Sequence, residues 1–252
     1  MLTLILIAAF LLSLTAVDAT DDTLRTSGLA ALWGMVQSVF SPDLSPRFLG
    51  TVLEATWRTV AYATAGMTVA ILIGIPGGLL ASGVLVRNPV MRASSMAGVR
   101  GVLGFLRAIH ELIWALIFVT AFGLSPLAGA LAIGIPYGGI IGRILAERLQ
   151  DVPDAPLQAL RSSGASEMQV LIYGRAPAAL ADMVSYFFYR FECAVRSAAV
   201  LSFVGLGGIG FRISIALDDL RFGQVWTLLF ALVLIIIAID TWSAQVRRRL
   251  TR

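Results

Sequence analysis

The chain has 252 residues, 58% of them hydrophobic and only 13% charged, and its formal net charge is +4. Soluble domains carry about 25% charged residues, so this composition excludes a soluble protein and indicates an integral membrane protein. All 19 basic residues are arginine, and without a lysine the chain cannot form the P-loop of an ATPase.

The few reactive side chains exclude several kinds of site. Cys193 is the single cysteine and His110 the single histidine, so neither an internal disulfide nor a Cys- or His-rich metal centre is expected. The arginines lie beside apolar segments, where membrane topology explains them more simply than nucleic-acid binding. The sequence therefore predicts no metal, no cofactor and no nucleic-acid partner for this chain.

Six apolar segments are predicted to cross the bilayer, each as a helix of about 20 residues. They lie at residues 2–17, 58–86, 101–123, 127–146, 179–204 and 223–243. The first also resembles the apolar core of a signal peptide with a cleavage site at residues 17–19, but no basic residue precedes it. We favour an uncleaved span and keep the signal peptide as the alternative. A surface helix is predicted around residues 29–40.

The distribution of arginines predicts the orientation of the chain. Twelve arginines flank the second and fourth connections or lie in the C-terminal tail, whereas five lie on the opposite side. Because positively charged connections stay in the cytoplasm, segment 147–177 and the C-terminus are expected to be cytoplasmic. Asp18, Asp21 and Asp22 are then expected outside, with the N-terminus inside.

A short repeat links the second and fourth spans. Residues 73–78 read IGIPGG and residues 133–139 read IGIPYGG. Both copies are expected in spans that run from outside to inside. Glycine and proline within a span allow close helix packing and bending, so the repeat predicts a packing contact, or alternatively a flexible wall of a substrate path.

A polar segment at residues 153–177 separates the fourth and fifth spans. Pro153 and Pro156 can end one helix and open another over about residues 157–163, because proline is tolerated in a first helical turn. Gly164 can adopt the left-handed conformation that closes this helix.

A second short helix is predicted immediately afterwards. Ser166 and Gln169 have the spacing of a capping box, which marks a helix start. The helix is expected over residues 167–174 and is expected to end at Pro177. Together the two elements form a helix–glycine–helix loop on the membrane surface.

This loop resembles the EAA motif of bacterial ABC importer permeases of the type I fold. Gln158 replaces the leading glutamate of the motif, and Gly174 and Ala176 replace its isoleucine and leucine. The resemblance implies a coupling helix that inserts into a groove of the ATPase subunit. The positions implied to serve this coupling are Gln158, Ala159, Leu160, Gly164, Ala165, Ser166 and Pro177.

Further series resemble the phosphonate-uptake branch of these permeases. They lie at residues 107–112, 115–119, 185–192, 196–198 and 204–210. The resemblance covers roughly residues 55–250. It implies an all-α polytopic fold with about six transmembrane helices. It also implies two permease copies, one ATPase subunit docked on each copy, and an external binding protein that delivers the anion.

Three charged residues fall inside the fifth span, where an unpaired charge costs about 2.5–3.5 kcal/mol at mid-bilayer. Glu192 and Arg196 are four residues apart and are expected to pair, with Ser185 and Tyr189 on the same face. Arg190 lies about 160° away and should meet another helix or the pathway. Two interpretations stay open, a buried ion pair that fixes packing and a polar lining for an anion, which arginine suits.

Glycines follow the fifth span at its outer end, at Gly205, Gly207, Gly208 and Gly210. No βαβ pattern surrounds them, so they do not indicate a dinucleotide site. Glycine tolerates backbone conformations that other residues avoid, so the cluster predicts a sharp turn. This turn is expected beside a gate, or alternatively in a simple re-entrant loop.

A second polar group lies in the cytoplasmic third of the third span. Arg107 and Glu111 are four residues apart and are expected to pair. His110 is expected to be a hydrogen-bonded packing residue. The alternative for this group is an inner gate or a contact with residues 158–177.

The combined interpretation is a permease subunit of an ABC importer for phosphonate, phosphite or phosphate in a bacterial inner membrane. ATP and Mg²⁺ are expected in the partner ATPase. The predicted divisions are 1–19 for the first transmembrane helix, 20–57 for a periplasmic segment, 58–246 for the transmembrane domain and 247–252 for a basic cytoplasmic tail.

Two other classes of protein are less consistent with the sequence. An ion-driven anion transporter or channel needs no ATPase and would leave residues 158–177 unexplained. An intramembrane protease needs a base near a nucleophilic serine, but His110 is the only candidate base and no G-x-S-x-G motif lies near it.

Overall fold

A computed structural model describes residues 2–15 and 26–250 of the chain. These ranges contain helices and connections and no strand, which confirms the predicted all-α class. The proposed cleavage site at 17–19 lies outside the described residues, as do the acidic cluster 18–22, Arg25 and Arg252.

Eleven α-helices follow one another in the described ranges. They are α1 (Leu2–Thr15), α2 (Thr26–Gln37), α3 (Pro46–Ser82), α4 (Pro89–Ala108), α5 (Glu111–Phe122), α6 (Pro126–Gln150), α7 (Asp154–Ser162), α8 (Glu167–Val170), α9 (Ala176–Leu201), α10 (Ile209–Asp218) and α11 (Phe222–Leu250). A 3-10 turn extends α2 over Ser38–Phe40, which together match the predicted surface helix. A π-helical turn at Leu171–Arg175 joins α8 to α9.

Helices α3 and α6 form the centre of the molecule through a contact of small residues. A methyl group added to Gly74 would lie 2.6 Å from Ile141 Cγ2, and one added to Gly138 would lie 2.8 Å from Ile73 Cβ. The contacts advance in the same direction along both helices, so α3 and α6 run parallel, as predicted for the two copies of the repeat. Both helices continue through their internal prolines, Pro76 and Pro136. The repeat therefore forms a close packing contact.

The predicted third span at 101–123 is wrong as a single straight helix. The structure breaks it into α4 and α5, whose axes differ by 85°. Ile109 and His110 adopt extended conformations between them. The break is stable because His110 caps the new helix, its Nδ1 accepting a hydrogen bond from the Leu112 N–H at 3.3 Å.

Three described helices are long and apolar enough to cross a membrane, namely α3, α6 and α11. Two bent pairs raise this number to as many as five if each pair forms one span: α4 with α5, and residues 167–204 with α10. The described part of α1, Leu2–Thr15, is apolar and has 14 residues, which span about 21 Å, less than the roughly 30 Å of a bilayer core. A sixth span at α1 stays a prediction.

The segment before α3 is tied to the start of α11. The Thr227 hydroxyl donates to the Asp43 carbonyl at 3.0 Å, and Gln224 Nε2 donates to Asp43 Oδ2 at 3.0 Å. Trp226 Nε1 donates to the Met35 carbonyl at 2.7 Å. These bonds place α2 and the 41–45 connection at the end of the bundle where α11 begins.

Candidate functional site

The predicted loop at 153–177 begins with a helix that ends in a well-formed C-terminal cap. Helix α7 ends at Ser162, and Gly164 takes the left-handed conformation with φ +85°. The Gly164 N–H donates to the Arg161 carbonyl at 3.0 Å, and the Ala165 N–H donates to the Leu160 carbonyl at 3.1 Å. This pair of bonds is a Schellman motif, which confirms the role of Gly164 as the residue that closes the helix.

The start of the second helix also follows the sequence prediction. The Gln169 N–H donates to Ser166 Oγ at 3.3 Å, and the Ser166 N–H donates to Gln169 Oε1 at 2.8 Å. These reciprocal bonds confirm the capping box. The glycine cap and the capping box together turn the chain sharply between α7 and α8.

The predicted end of the second helix at Pro177 is wrong. Helix α8 has only four residues, and the π-helical turn carries the chain directly into α9. Pro177 lies in the first turn of α9, immediately after the π-helical turn. The loop is therefore continuous with the fifth span.

A small apolar cluster holds the loop together, and the outer surface of the loop is exposed. Leu157 is completely buried against Val152 and Val170. A methyl group on Gly174 would lie 2.8 Å from Leu157 Cδ2, so a larger residue would have to displace the Leu157 side chain. The remaining surface exposes polar and apolar side chains together, among them Gln158, Ala159, Met168, Ile172 and Tyr173.

Within α9, Arg190 lies among aromatic rings. Its Nε donates to the Tyr186 hydroxyl at 2.9 Å, and its guanidinium carbon lies 5.2 Å from the centre of the Tyr137 ring on α6. The Tyr186 and Tyr189 rings lie 5.5 and 5.9 Å away. The prediction that Arg190 meets another helix is confirmed, and Tyr137 and Tyr186 are partners that the sequence analysis missed.

The predicted pair of Glu192 with Arg196 does not form. Glu192 is buried, and its Oε1 lies 3.4 Å from Nη1 of Arg247 on α11. Arg196 is exposed, and its Nη2 lies 3.7 Å from Cys193 Sγ. Glu192 faces the neighbouring helix while Arg196 faces outward, so the tertiary partner replaces the local one. Tyr189 is also exposed, and Ser185 is half-buried on the same helix.

The predicted pair of Arg107 with Glu111 is also wrong, because the break in the third span places them on different helices. Glu111 Oε1 instead accepts a hydrogen bond from Ser197 Oγ on α9 at 2.7 Å. Ser197 Oγ also lies 3.0 Å from the Tyr137 hydroxyl. This chain of three polar groups links α5, α9 and α6. His110 caps α5, and its Nε2 lies 3.8 Å from Glu111 Oε2.

The glycine cluster forms the predicted sharp turn at the end of α9. Gly205, Gly207 and Gly208 all have positive φ angles, between 82° and 102°. A side chain on Gly208 would meet the Ser202 and Thr59 hydroxyls at 2.7 and 2.8 Å. In addition, a side chain on Gly210 would collide with the Ala199 carbonyl. The turn therefore requires glycine for both its conformation and its packing.

This turn borders a cavity of about 310 Å³. Tyr62 lies beside it and donates from its hydroxyl to the Leu206 carbonyl at 2.8 Å. Two arginines and one carboxylate line the cavity, Arg58, Arg212 and Glu54, and Arg58 forms an ion pair with Glu54 at 2.8 Å. Across the described ranges, no group of three or more His, Cys, Asp or Glu side chains is placed to hold a metal ion.

Residues 70–252 match the family described as "Binding-protein-dependent transport system inner membrane component". The chain is 35% identical over 221 residues to the putative phosphite transport system permease protein HtxC of Stutzerimonas stutzeri, covering 88% of this chain and 76% of that protein. It is 29% identical over 244 residues to the phosphite transport system permease protein PtxC of the same organism, covering 97% and 86%.

The fold is similar to that of a solved transporter. The MetNI methionine ABC transporter in an inward-facing conformation matches with a TM-score of 0.72 at 21% identity, over 83% of this chain and all of the matched chain. The predicted fold of type I ABC importer permeases is therefore confirmed. Both sequence relatives are named as permease proteins, in agreement with a chain that lacks a P-loop.

Proposed function

This chain belongs to the family of binding-protein-dependent transport system inner membrane components, and from that premise we propose that it imports a phosphorus oxyanion such as phosphite, phosphonate or phosphate. The observation that carries the substrate class is its 35% identity over 88% of its length to a putative phosphite transport permease. Arg190 supports this class, because a guanidinium within a span is suited to a multi-oxygen anion.

The loop at 153–177 is the proposed contact with the ATPase. Its buried side fixes the shape, while Gln158 and Ala159 lie exposed on α7. In this proposal ATP and Mg²⁺ bind to the ATPase, and this chain converts ATPase closure into movement of α9. The direct passage of α8 into α9 supports this role, since no flexible linker separates the loop from the span.

A second copy of this chain is proposed to complete the pathway. Arg196 is exposed on α9, within a candidate span. Lipid contact at mid-bilayer would cost this charge about 2.5–3.5 kcal/mol. A water-filled pathway between two copies removes this cost, so Arg196 and Tyr189 are proposed to line it together with Arg190.

The proposed orientation places the loop at 153–177 and the C-terminus in the cytoplasm. The arginine distribution supports it, because arginines are concentrated on that side. The glycine turn and its 310 Å³ cavity then lie at the outer face. An external binding protein is proposed to deliver the anion there, near residues 205–221.

The experiment that tests the proposed function is uptake of labelled anions into proteoliposomes. They would contain this chain, its ATPase and its binding protein, with methylphosphonate, phosphite and phosphate tested in turn. We expect uptake that requires ATP and all three proteins. Anion flux without the ATPase would refute the importer in favour of a channel or an ion-driven transporter.

Proline substitution tests the coupling role of the loop separately. Gly164→Pro should abolish ATP-dependent uptake, because proline cannot adopt φ +85° or donate the bond to Arg161. Asp154→Pro is the matched control, since it places proline at the first position of α7 after a residue with ψ 137°. Unchanged uptake by Gly164→Pro, with the chain in the membrane, would count against coupling.

A further inference from the structure

A second cavity lies between the α3–α4 connection and the loop at 153–177. Its volume is about 350 Å³, within the range of small-molecule sites. Four of its lining residues are arginines that come from both sides. They are Arg87 and Arg92 from the α3–α4 region, and Arg161 and Arg175 from the loop. We call this the four-arginine cavity.

The arginines in this cavity exceed the carboxylates that balance them. Glu167 is the lining carboxylate, and it lies 3.2 Å from Arg161 Nη2 and 3.7 Å from Arg87 Nε. Asp154 acts electrostatically on Arg175 from outside the lining. Two carboxylates against four guanidinium groups leave a surplus of two positive charges.

Two of the arginines, Arg175 and Arg92, differ in the contacts that their guanidinium groups make. Arg175 is half-buried and donates from Nη1 to the Leu149 carbonyl, which fixes its position at the end of α6. Arg92 is exposed, and none of the described carboxylates lies within ion-pair distance of it. A fixed guanidinium and an uncompensated one therefore face the same cavity, which is the arrangement that an anionic ligand would complete.

Gly83 also lines the cavity, at the turn between α3 and α4. Gly83 ends α3 in the left-handed conformation with φ +64°. A side chain at this position would meet Met96 Sδ at 2.7 Å and Arg92 Cγ at 2.9 Å. Glycine thus lets the chain turn from α3 towards α4 without displacing Arg92.

We propose that the four-arginine cavity binds a phosphate-type anion, supplied by a phospholipid headgroup or by free inorganic phosphate. Guanidinium groups match the oxygens of such anions with paired, charge-assisted hydrogen bonds. A bound anion would join the α3–α4 connection to Arg161 and Arg175 and so restrain the loop. This proposal rests on the proposed function in one respect, the orientation that places the cavity on the cytoplasmic side of the membrane.

Thermal unfolding of the isolated full chain in maltoside detergent micelles, which contain no phosphate group, tests this site without transport. Phosphate should raise the melting temperature relative to chloride of equal ionic strength, because a ligand of the native state stabilises it. Arg92→Gln should raise the apparent dissociation constant about tenfold, the loss expected for one charge-assisted bond. Arg87→Gln provides an independent variant should Arg92→Gln fail to fold.

The matched control is Arg148→Gln, which removes the same charge outside the cavity. Arg148 lies 3.8 Å from Asp182, and its loss should leave phosphate binding unchanged. Equal effects of Arg92→Gln and Arg148→Gln would overturn the proposal, because they would indicate a diffuse charge effect. Anion binding unaltered by Arg92→Gln, with weakened ATPase association, would also overturn it and assign the arginines to the ATPase contact.

Lipid composition identifies the source of the anion. After phosphatidylglycerol is added to the micelles, loss of the phosphate effect together with a higher starting melting temperature would assign the site to a lipid headgroup. Retention of the phosphate effect would assign it to free phosphate. No stabilisation by phosphate or by phosphatidylglycerol would refute the site. A negative uptake experiment would leave this binding result intact, so the two proposals fail independently.

Discussion

At the scale of single residues, polar groups inside the bundle find partners on other helices. Arg190 contacts Tyr137 on α6, Glu192 contacts Arg247 on α11, and Ser197 contacts Glu111 on α5. Each contact satisfies a group that would be costly to bury alone. The polar residues therefore determine how the helices pack together, as well as which side chains would line a pathway.

Replacement of Arg190 distinguishes these two roles. Arg190→Lys retains the charge but loses the Tyr186 bond and the planar contact with Tyr137. A purely structural role predicts a loss of about 1 kcal/mol in unfolding free energy with uptake intact. We expect uptake to fall as well, measured in the proteoliposome assay. Tyr186→Phe is the control, because it removes the same hydrogen bond and keeps the ring.

The Asp43 carboxylate provides a residue-scale test by pH. Hydrogen bonds from the Ser45 backbone N–H, the Ser45 hydroxyl and then the Gln224 side chain lower the pKa of Asp43 below its ordinary value. A lowered folded-state pKa adds stability above the unfolded pKa, and this stability is lost as pH falls through the folded value. Asp43→Asn should therefore lower the melting temperature at pH 7.

The difference between wild type and Asp43→Asn should shrink as pH falls below about 4, where the unfolded carboxyl is protonated. Asp218→Asn is the matched control, because Asp218 is exposed near the same end of the molecule on α10. Parallel melting curves for wild type and Asp43→Asn across this pH range would contradict the proposed anchoring of the 41–45 connection.

At the scale of helices, the parallel pair α3 and α6 depends on glycines that allow close approach. Such close contacts drive helix association in membranes. Lipid tails are as apolar as leucine side chains, so no hydrophobic driving force brings the helices together. Apolar burial alone therefore does not explain why these two helices meet. Glycine in the repeat is required at the interface rather than merely tolerated.

Gly74→Ala should destabilise the protein by about 1–3 kcal/mol, because the new methyl group would overpack against Ile141. Gly104→Ala is the control within a helix, since no atom lies within 4 Å of its new methyl group. It should be neutral or stabilising by about 0.4–1 kcal/mol. Thermal or denaturant unfolding in detergent measures both changes. A smaller loss for Gly74→Ala than for Gly104→Ala would refute the contact.

At the scale of the whole molecule, one copy leaves charged and aromatic groups of α9 uncovered. Arg196 and Tyr189 are exposed while the opposite side of the helix is buried against α3 and α6. A face of this kind is unsuited to lipid. It is consistent with a pathway between two copies.

Cysteine cross-linking tests the second copy. Cys193→Ser removes the single native cysteine, and Arg196→Cys then introduces one on the proposed pathway face. A bifunctional maleimide should yield covalent dimers in membranes. Leu234→Cys on the exposed side of α11 is the control and should yield few. Equal yields at both positions would be evidence against a dimer joined along α9.

The sequence by itself determined the features that depend on near neighbours in the chain. Composition identified a membrane protein, and spacing identified the cap at Gly164 and the capping box at Ser166, because these structures form within one or two helical turns. The glycine cluster at 205–210 likewise predicted a sharp turn. Apolar length also placed three of the predicted spans, at α3, α6 and α11, with boundaries off by several residues.

Only the tertiary structure decided which distant groups meet. Spacing of four residues predicted pairs at Glu192 and Glu111, but the actual partners, Arg247 and Ser197, come from other helices. The bend before α5 and the passage through Pro177 also depend on packing. Helical periodicity shows which groups share one face of a helix. The partner that each group meets depends on how two helices pack against each other, and the free energy of that packing is a property of the pair of helices.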